Sequence, residues 1–366
     1  MRISCTKNDL VESTNIVIKA VSVKTTMPIL SCILIDASAD IIKMTANDME
    51  LAIETKLEGR IIEPGVIAVD ARLFSEIIKK LPDGVVTIKD NQGKIRIECE
   101  KAAFEIIGKE AEEFVRMPSV ETKEYICVSE FTLKEMIRKT IFSIAQNENN
   151  KIMTGELFEV SGNSLKVVSL DGHRISINNV MLRETYQDHK VIVPGKTLNE
   201  ISRIIPGDSE RDVYIFFTNN YILFEFRDTI VLSRIIEGDY FKIERMINND
   251  YETKISVDKK ALLDAIERSL LLIRETDKRP IILKINSEGL NISMNTVIGA
   301  MREEMDIARE GKDITIGFNP KFLSDALRAI DDETIDIYMI NAKSPCIIRD
   351  EASSYIYLIL PINFAA

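Results

Sequence analysis

The chain has 366 residues, 45% hydrophobic and 29% charged, with a formal net charge of −11, a composition that supports two or three globular cores and argues against disorder. No apolar run approaches the ~20 residues of a membrane span, and the N-terminus, MRISCTKNDL, reads as a strand entering a helix rather than a signal peptide, so a cytoplasmic protein is expected. Five cysteines without a Cys-x-x-Cys pair, and His173 and His189 as the only histidines, argue against a zinc site; an acidic total ordinarily argues against nucleic acid too.

In chain order, ISCTKNDLVESTNIVIKA from Ile3 opens with a short β-type run, a polar break and a helical pattern. An alternating strand then leads into VDARLFSEIIKKL from Val69, where the stripe Phe74, Ile77, Ile78 and Leu81 predicts a helix buried on one face. Both patterns return, as ICVSEFTLKEMIRKTIFS from Ile126 and VPGKTLNEISRII from Val193, and again as ISVDKKALLDAIERSLLL from Ile255 and FNPKFLSDALRAI from Phe318. Leu10, Leu133 and Leu262 coincide in register, and the second family is spaced by 124 and 125 residues, the length of whole domains rather than of solenoid or propeller repeats. Three repeated domains follow, over residues 1–122, 123–250 and 251–366. Period-two runs between the helices, such as KIRIECE, SLKVVSLD, YILFEF and TIDIYMI, predict strands with one buried face. Each domain is therefore expected to be α+β, with two helices packed on antiparallel sheets.

The solvent stripe of the second helix family reads Arg72, Glu76, Lys79, then Lys196, Glu200, Arg203, then Lys321, Asp325, Arg328. One such face is an ordinary solvated stripe with helpful i, i+4 pairs; recurrence in three divergent copies points to more. The six expected helices, over 8–21, 72–81, 132–145, 196–205, 259–274 and 320–330, sum to +7 and leave −18 for the remainder. Such segregation suits a protein that meets DNA on one surface and repels it elsewhere.

Other motifs carry no chemistry. VIVPGKTL imitates a phosphate-binding loop at Gly195, Lys196 and Thr197, but Lys190 stands where the first glycine is required, and the repeat reads the segment as a helix entry. Asp48 and Glu50 in NDMEL are two carboxylates on a polar strand face rather than a metal site. Asp171, Gly172, His173 and Arg174 in SLDGHRISI form a polar turn between strands. No nucleophile with a neighbouring base and no nucleotide fingerprint is present, so neither catalysis, cofactor nor metal is expected. The competing classes are a nucleotide-binding enzyme built on Gly195 to Thr197, which tight ATP binding would support, and a repeat scaffold that binds proteins but never DNA.

TTMPILSCILI and NDMEL in the first domain, TGELFEV and SLDGHRISI in the second, GDYFKIERMI before the third and YLILPIN near the C-terminus resemble the bacterial DNA sliding clamp family, the β subunit of DNA polymerase III, from end to end. The resemblance implies two crescent subunits paired head to tail into a closed ring, a non-catalytic processivity factor that encircles duplex DNA without sequence preference. It implies that the clamp loader, the catalytic subunit of the polymerase, other polymerases and repair proteins dock through short hydrophobic motifs. It implies that Lys24 falls at a loop that leans on DNA, adding to the helix cations Arg72, Lys79, Lys196, Arg203, Lys321 and Arg328, although from the residues alone Lys24 suits an ordinary solvated loop equally well. Ring closure sets Phe104 and Ile106 of one subunit against Leu272 and Ile273 of another. The partner groove falls at Met153, Leu170, Gly172, His173, Arg174, Ile175, Phe241, Arg245, Met246, Ile359, Leu360, Pro361 and Ile362. From the residues alone Ile359 and Leu360 suit a final core strand equally well, while Pro361 cannot donate to a sheet ladder. Lys278 and Asn363 depart from the family pattern.

Overall fold

The computed structural model describes residues 1–22, 25–147, 149–207, 209–247, 250–273 and 279–364. Six α-helices stand where the repeat places them: α1 Lys7–Val17, α2 Ala71–Lys80, α3 Glu130–Thr140, α4 Gly195–Ile204, α5 Lys259–Leu270 and α6 Pro320–Ala329. Short polar side chains start them. Asp70 accepts from the Leu73 amide at 2.8 Å, Asp258 from Ala261 at 2.6 Å and Asn319 from Lys321 at 3.0 Å, each satisfying an orphan donor of the first turn. The first helix of each repeat is shorter than its periodicity predicts. Helices α1 and α3 tighten into 3-10 turns at Ile18–Ala20 and Ile141–Ser143, where β-branched residues cluster and the Thr140 hydroxyl bonds back to the Met136 carbonyl at 2.7 Å.

Among the described residues all strands pair antiparallel, and the chain forms two compact units. Unit one, Met1–Phe131 with Glu200–Ile235, holds a five-stranded sheet in the order Arg60–Glu63, Arg2–Thr6, Val85–Asn91, Lys94–Cys99, Ala102–Ile107. Its eight-stranded sheet runs from Tyr125–Ser129 through Asp212–Phe217, Tyr221–Phe226 and Thr229–Arg234 into Leu51–Leu57, Ile42–Asn47, Cys32–Asp36 and Val66–Asp70. Unit two, Thr132–Asn199 with Ile236–Ala366, holds a seven-stranded sheet in which Arg174–Pro194 pairs with Tyr355–Ile359. Its four-stranded sheet runs Ala300–Met305, Gly289–Asn295, Ile281–Asn286, Ile314–Phe318.

Strand pairing across repeat boundaries explains why the central repeat contributes to both units. In unit one Thr229 meets Thr55, their hydroxyls 2.8 Å apart and buried, with Lys56 and Asp228 paired at 2.7 Å beside them. Glu130, fully buried, receives two bonds from Arg227 at 2.7 and 2.8 Å.

Glu156, in the strand Gly155–Leu170 of unit two, is buried completely, and neither of its carboxylate oxygens has a hydrogen-bond partner among the described residues. Burial pushes its carboxyl well above the ordinary value of 4.5; the nearby Thr140 hydroxyl opposes this only weakly, since its proton goes to Met136. A folded pKa above the unfolded one means that the folded protein keeps a proton the unfolded chain releases. The associated stability is therefore complete below about pH 4.5 and is lost as pH rises toward the folded value. Urea titrations of wild type and Glu156→Gln between about pH 5 and 7 should diverge, the variant gaining stability relative to the wild type as pH rises. Parallel profiles would show that Glu156 is already ionised in the folded protein.

Candidate functional site

The cations expected on the second helix of each repeat, Arg72, Lys79, Lys196, Arg203, Lys321 and Arg328, are all exposed, while Phe74, Ile77 and Ile78 on the opposite stripe of α2 are buried. Lys79 and Arg203 line a single open cavity of about 590 Å³ in unit one, together with Lys7, Lys19 and Arg227. Lys19 was hidden from the repeat argument because it belongs to the first helix family, whose net charge is negative in this copy. Lys24 lies outside the described residues.

The acid in the middle of each pattern behaves differently in each copy. Glu76 is exposed, Glu200 pairs with Arg203 at 2.8 Å, and Asp325 is drawn away to Arg174 at 2.7 Å. Arg328 pairs instead with Glu267 at 2.8 Å. Gly195 has a packing role: a Cβ there would collide with Ile144 Cδ1 and stand 2.9 Å from the Thr154 carbonyl oxygen. Asp48 likewise serves the chain, its Oδ1 accepting from the amides of Glu50 at 3.0 Å and Leu51 at 2.8 Å.

In unit two several of the residues expected to line a partner groove gather around one turn. Asp171 Oδ1 accepts from the His173 and Arg174 amides at 3.0 and 3.2 Å, and Gly172 takes φ +88°, a left-handed conformation that costs glycine least. Leu170 and Ile175 flank the turn in one apolar cluster with Leu358, Tyr240 and Ile243, and Met153 and Phe241 pack at its margin. The Leu360 amide donates to the His173 carbonyl at 2.8 Å. His173, Met246 and Leu360 are exposed, and Pro361 is half-buried. Beyond Pro361 the chain regains hydrogen bonding, Ile362 donating to the Gly317 carbonyl at 2.8 Å and Phe364 lying over Gly317, where a Cβ would approach Phe364 Cδ1 to 2.7 Å. The Arg245 side chain and Lys278 lie outside what is described.

Two groove assignments are corrected. Ile359 is fully buried in the C-terminal core, because alternate residues of a strand face opposite ways; Leu358, unforeseen, faces the groove cluster with Leu360 two residues on. Arg174 does not offer its charge to the groove. Its guanidinium is buried, bonded to Asp171 at 2.9 Å, to Asp325 and to the Phe142 carbonyl, and lies 4.1 Å above the centroid of the Phe322 ring. It braces the turn against α6.

Of the residues expected at a subunit interface, Phe104 and Ile106 lie in an open edge strand, and Leu272 and Ile273 lie just past the end of α5. Ala102–Ile107 pairs only on its Lys94–Cys99 side among the described residues, leaving Phe104 40% and Ile107 80% exposed. Ile106 is half-buried opposite Ile95. Leu272 and Ile273 pack partly against the C-terminal core, whereas Leu271 is 79% exposed.

Comparison with known proteins supplies the class. Residues 1–118, 127–242 and 244–363 match the N-terminal, central and C-terminal domains of the DNA polymerase III β subunit. The chain is 35% identical to the β sliding clamp of Bacillus subtilis, over 99% of this chain and 100% of that one, and 32% identical to that of Staphylococcus aureus, over 99% of each. A crystal structure of a putative DNA polymerase III β subunit from Eubacterium rectale superposes with a TM-score of 0.97 at 56% identity, covering 100% of this chain and 99% of that one. The Bacillus subtilis clamp gives 0.96 at 34% identity over 100% of each chain. A Pseudomonas aeruginosa clamp bound to griselimycin, 24% identical over 100% of each, shares the fold at 0.94. These are sliding clamps, built of three clamp domains. The chain belongs to the DNA polymerase III β-subunit family. It is a non-catalytic processivity factor that tethers the polymerase.

Removing Arg174 should expose how much the brace matters. Arg174→Ala leaves the Asp171 and Asp325 carboxylates without their shared cation and is expected to destabilise the protein by ~3 kcal/mol, read as a lowered urea midpoint. An unchanged midpoint would mean that water replaces the guanidinium at no net cost.

Proposed function

We propose that two copies of this chain close head to tail into a ring that encircles duplex DNA, slides on it without sequence preference and holds partners through the groove around His173. One observation carries the reading. The last strand of the central repeat, Thr229–Arg234, pairs with Leu51–Leu57 of the first, and the last strand of the third repeat, Tyr355–Ile359, pairs with Arg174–Asn178 of the central one. By the same rule Ala102–Ile107 of the first repeat requires an edge strand from a third repeat, and Ala300–Met305 is that strand, open on one side among the described residues. Unpaired edges invite pairing, and a heterologous contact closes a ring when its rotation allows. Phe104, Ile106, Leu272 and Ile273 would border that contact, with Ile107 and Leu271 at its most exposed points.

Charge segregation supports the DNA partner. Exposed helix cations set in an acidic protein give affinity for phosphate without reading base edges. The loader, the polymerase catalytic subunit and repair proteins would share the groove in turn, helped by the adaptable Met153 and Met246. No helix among the described residues is long and apolar enough to cross a membrane, and the proposed compartment is the cytoplasm.

Loaded onto nicked circular DNA by a cognate loader, the protein should stay through a salt wash and leave when the circle is cut. Retention on linear DNA with free ends would overturn encirclement. Reversing the charge of Arg72, Lys79, Lys196, Arg203, Lys321 and Arg328 together should abolish loading with folding intact, as these side chains lie off the core. Ile107→Asp places a charge at the open edge without touching the core and should yield a folded monomer by light scattering; a persistent dimer would move the interface elsewhere.

A further inference from the structure

We propose that the ladder between subunits repeats the register of the ladders within the chain, setting Ala102–Ile107 antiparallel on residues 298–303 of a second copy. Beside it an inverted charge pair, Lys101 against Glu304, assigns each edge to its own partner. The inference rests on the ring reading above and adds to it the alignment of the two strands and the residues that choose the partner. Both edge strands have a counterpart inside the chain. Cys99 pairs with Ala102 across a two-residue turn that begins with Glu100 at φ +51°, and Phe226 pairs with Thr229 across one that begins with Arg227 at φ +51°. Asn295 pairs with Ala300 around a turn closed by the Thr296 amide on the Gly299 carbonyl at 2.9 Å. Asn47 pairs with Ala52 around a turn closed by the Asp48 amide on the Leu51 carbonyl at 3.0 Å. Ala102 therefore stands where Thr229 does, and Ala300 where Ala52 does.

Within the chain Thr229 lies opposite Thr55 and Ser233 opposite Leu51, and the Arg234 amide donates to the Glu50 carbonyl at 2.9 Å. The junction made by Tyr355–Ile359 keeps the same frame, with Ile359 opposite Arg174 and the Leu360 amide on the His173 carbonyl at 2.8 Å. Transferred to the open edges, this register puts Phe104 opposite Met301, Ile106 opposite Gly299 and Ile107 opposite Ile298. The side chains suit those positions. Ile107 and Ile298 are 80% and 47% exposed, and the register covers one with the other. Gly299 offers no side chain against Ile106, and the Leu272 Cδ2 lies 3.4 Å from where a Cβ would stand, so Ile106 meets an apolar seat.

Charge sorts the edges. Just before Thr229, Asp228 meets Lys56, their side chains paired at 2.7 Å and the Lys56 amide on the Asp228 carbonyl at 3.1 Å. The corresponding residues of the other internal junction, Ser354 and Asn179, keep that backbone bond at 2.9 Å and carry no charge. At the open edges the same positions hold Lys101 and Glu304, both exposed, with the signs exchanged. Glu304 accepts from the Asn291 side chain at 3.0 Å and lies 3.7 Å from Arg302, and Arg302 falls diagonal to Glu105 across the proposed ladder, within reach of long side chains. Opposite charges that face each other stabilise a ladder and like charges destabilise it. Ala102–Ile107 laid on Leu51–Leu57 of another copy would set Lys101 against Lys56, and Thr229–Arg234 laid on Ala300–Met305 would set Asp228 against Glu304. The partner edge is thus chosen by repulsion from the wrong strand as well as by attraction to the right one.

Sedimentation equilibrium and native mass spectrometry of the full chain test this with Lys101→Glu and Glu304→Lys. Each substitution sets like charges at both interfaces of the ring, and a loss of about tenfold at each is about a hundredfold in the dimer dissociation constant. Mixed, the two variants complement each other at both interfaces and should form a one-to-one dimer of wild-type affinity in excess over either homodimer; that recovery also shows both chains to be folded. The two substitutions in one chain should restore the homodimer. Variants that dimerise as tightly as wild type, that mix without preference, or that fail to recover when mixed overturn the register and the sorting while a wild-type dimer leaves the ring intact. A wild-type chain that stays monomeric at every concentration overturns the ring reading, and this inference with it.

Discussion

A sheet edge presents a row of amides and carbonyls that water satisfies less well than another strand does, and this architecture is organised around the edges its repeats present. Each repeat folds a meander whose last strand pairs with the strand before it and leaves its outer edge without a partner inside its own repeat. Two of these outer edges are covered by the preceding repeat, and the third, on Ala102–Ile107, stays open among the described residues. The junction between repeats is thus a continuous ladder within each unit rather than a packed seam. Side chains then fix the register. The Thr55 and Thr229 hydroxyls meet inside the sheet and Lys56 meets Asp228 at its margin, so that a slip of one residue would bury an unpaired hydroxyl and flip every neighbouring side chain.

Function follows from what those ladders leave over. Strand exits at each junction form turns held by an aspartate, and such turns make shallow concave surfaces with little backbone of their own left to satisfy. At Asp171 the surface is apolar with methionines at its border. At Asp48 it is ringed by charge. The helices, carried on the other side of the sheets' hydrophobic layers, need only be soluble to fold, so their outward residues are free to be selected for charge. Arg174 ties these layers together, joining the groove turn to α6 through Asp325.

Much of this was legible in the sequence, for identifiable reasons. Helix periodicity and a repeat of 124 to 125 residues are local or translational signals, and they revealed α2, α4 and α6 with their basic faces. Helix ends were overestimated where isoleucine and threonine cluster, since tertiary packing there prefers a tighter turn. Ile359 and Leu358 were exchanged because a strand's phase is invisible until one face is known to be core. Arg174 was placed among the groove-lining residues, and its bracing role went unseen because nothing nearby in sequence announces Asp325 or Phe322. The cross-repeat ladders themselves left no trace, as pairing over such separations depends on shape rather than on any motif.

That separation has a consequence for the birth of the protein. Thr55 and Thr229 are 174 residues apart, so at ribosomal speeds of ~5–20 residues per second the strand Leu51–Leu57 waits roughly ten to thirty-five seconds for its partner to be made. From the moment Ala102–Ile107 is made until Thr229 follows, the nascent first repeat carries bare edges at both Leu51–Leu57 and Ala102–Ile107, and on a polysome its neighbours carry the same ones. Translation rate, and whatever shields those edges on the ribosome, therefore decides how much chain reaches the correct ladder instead of a sister chain's.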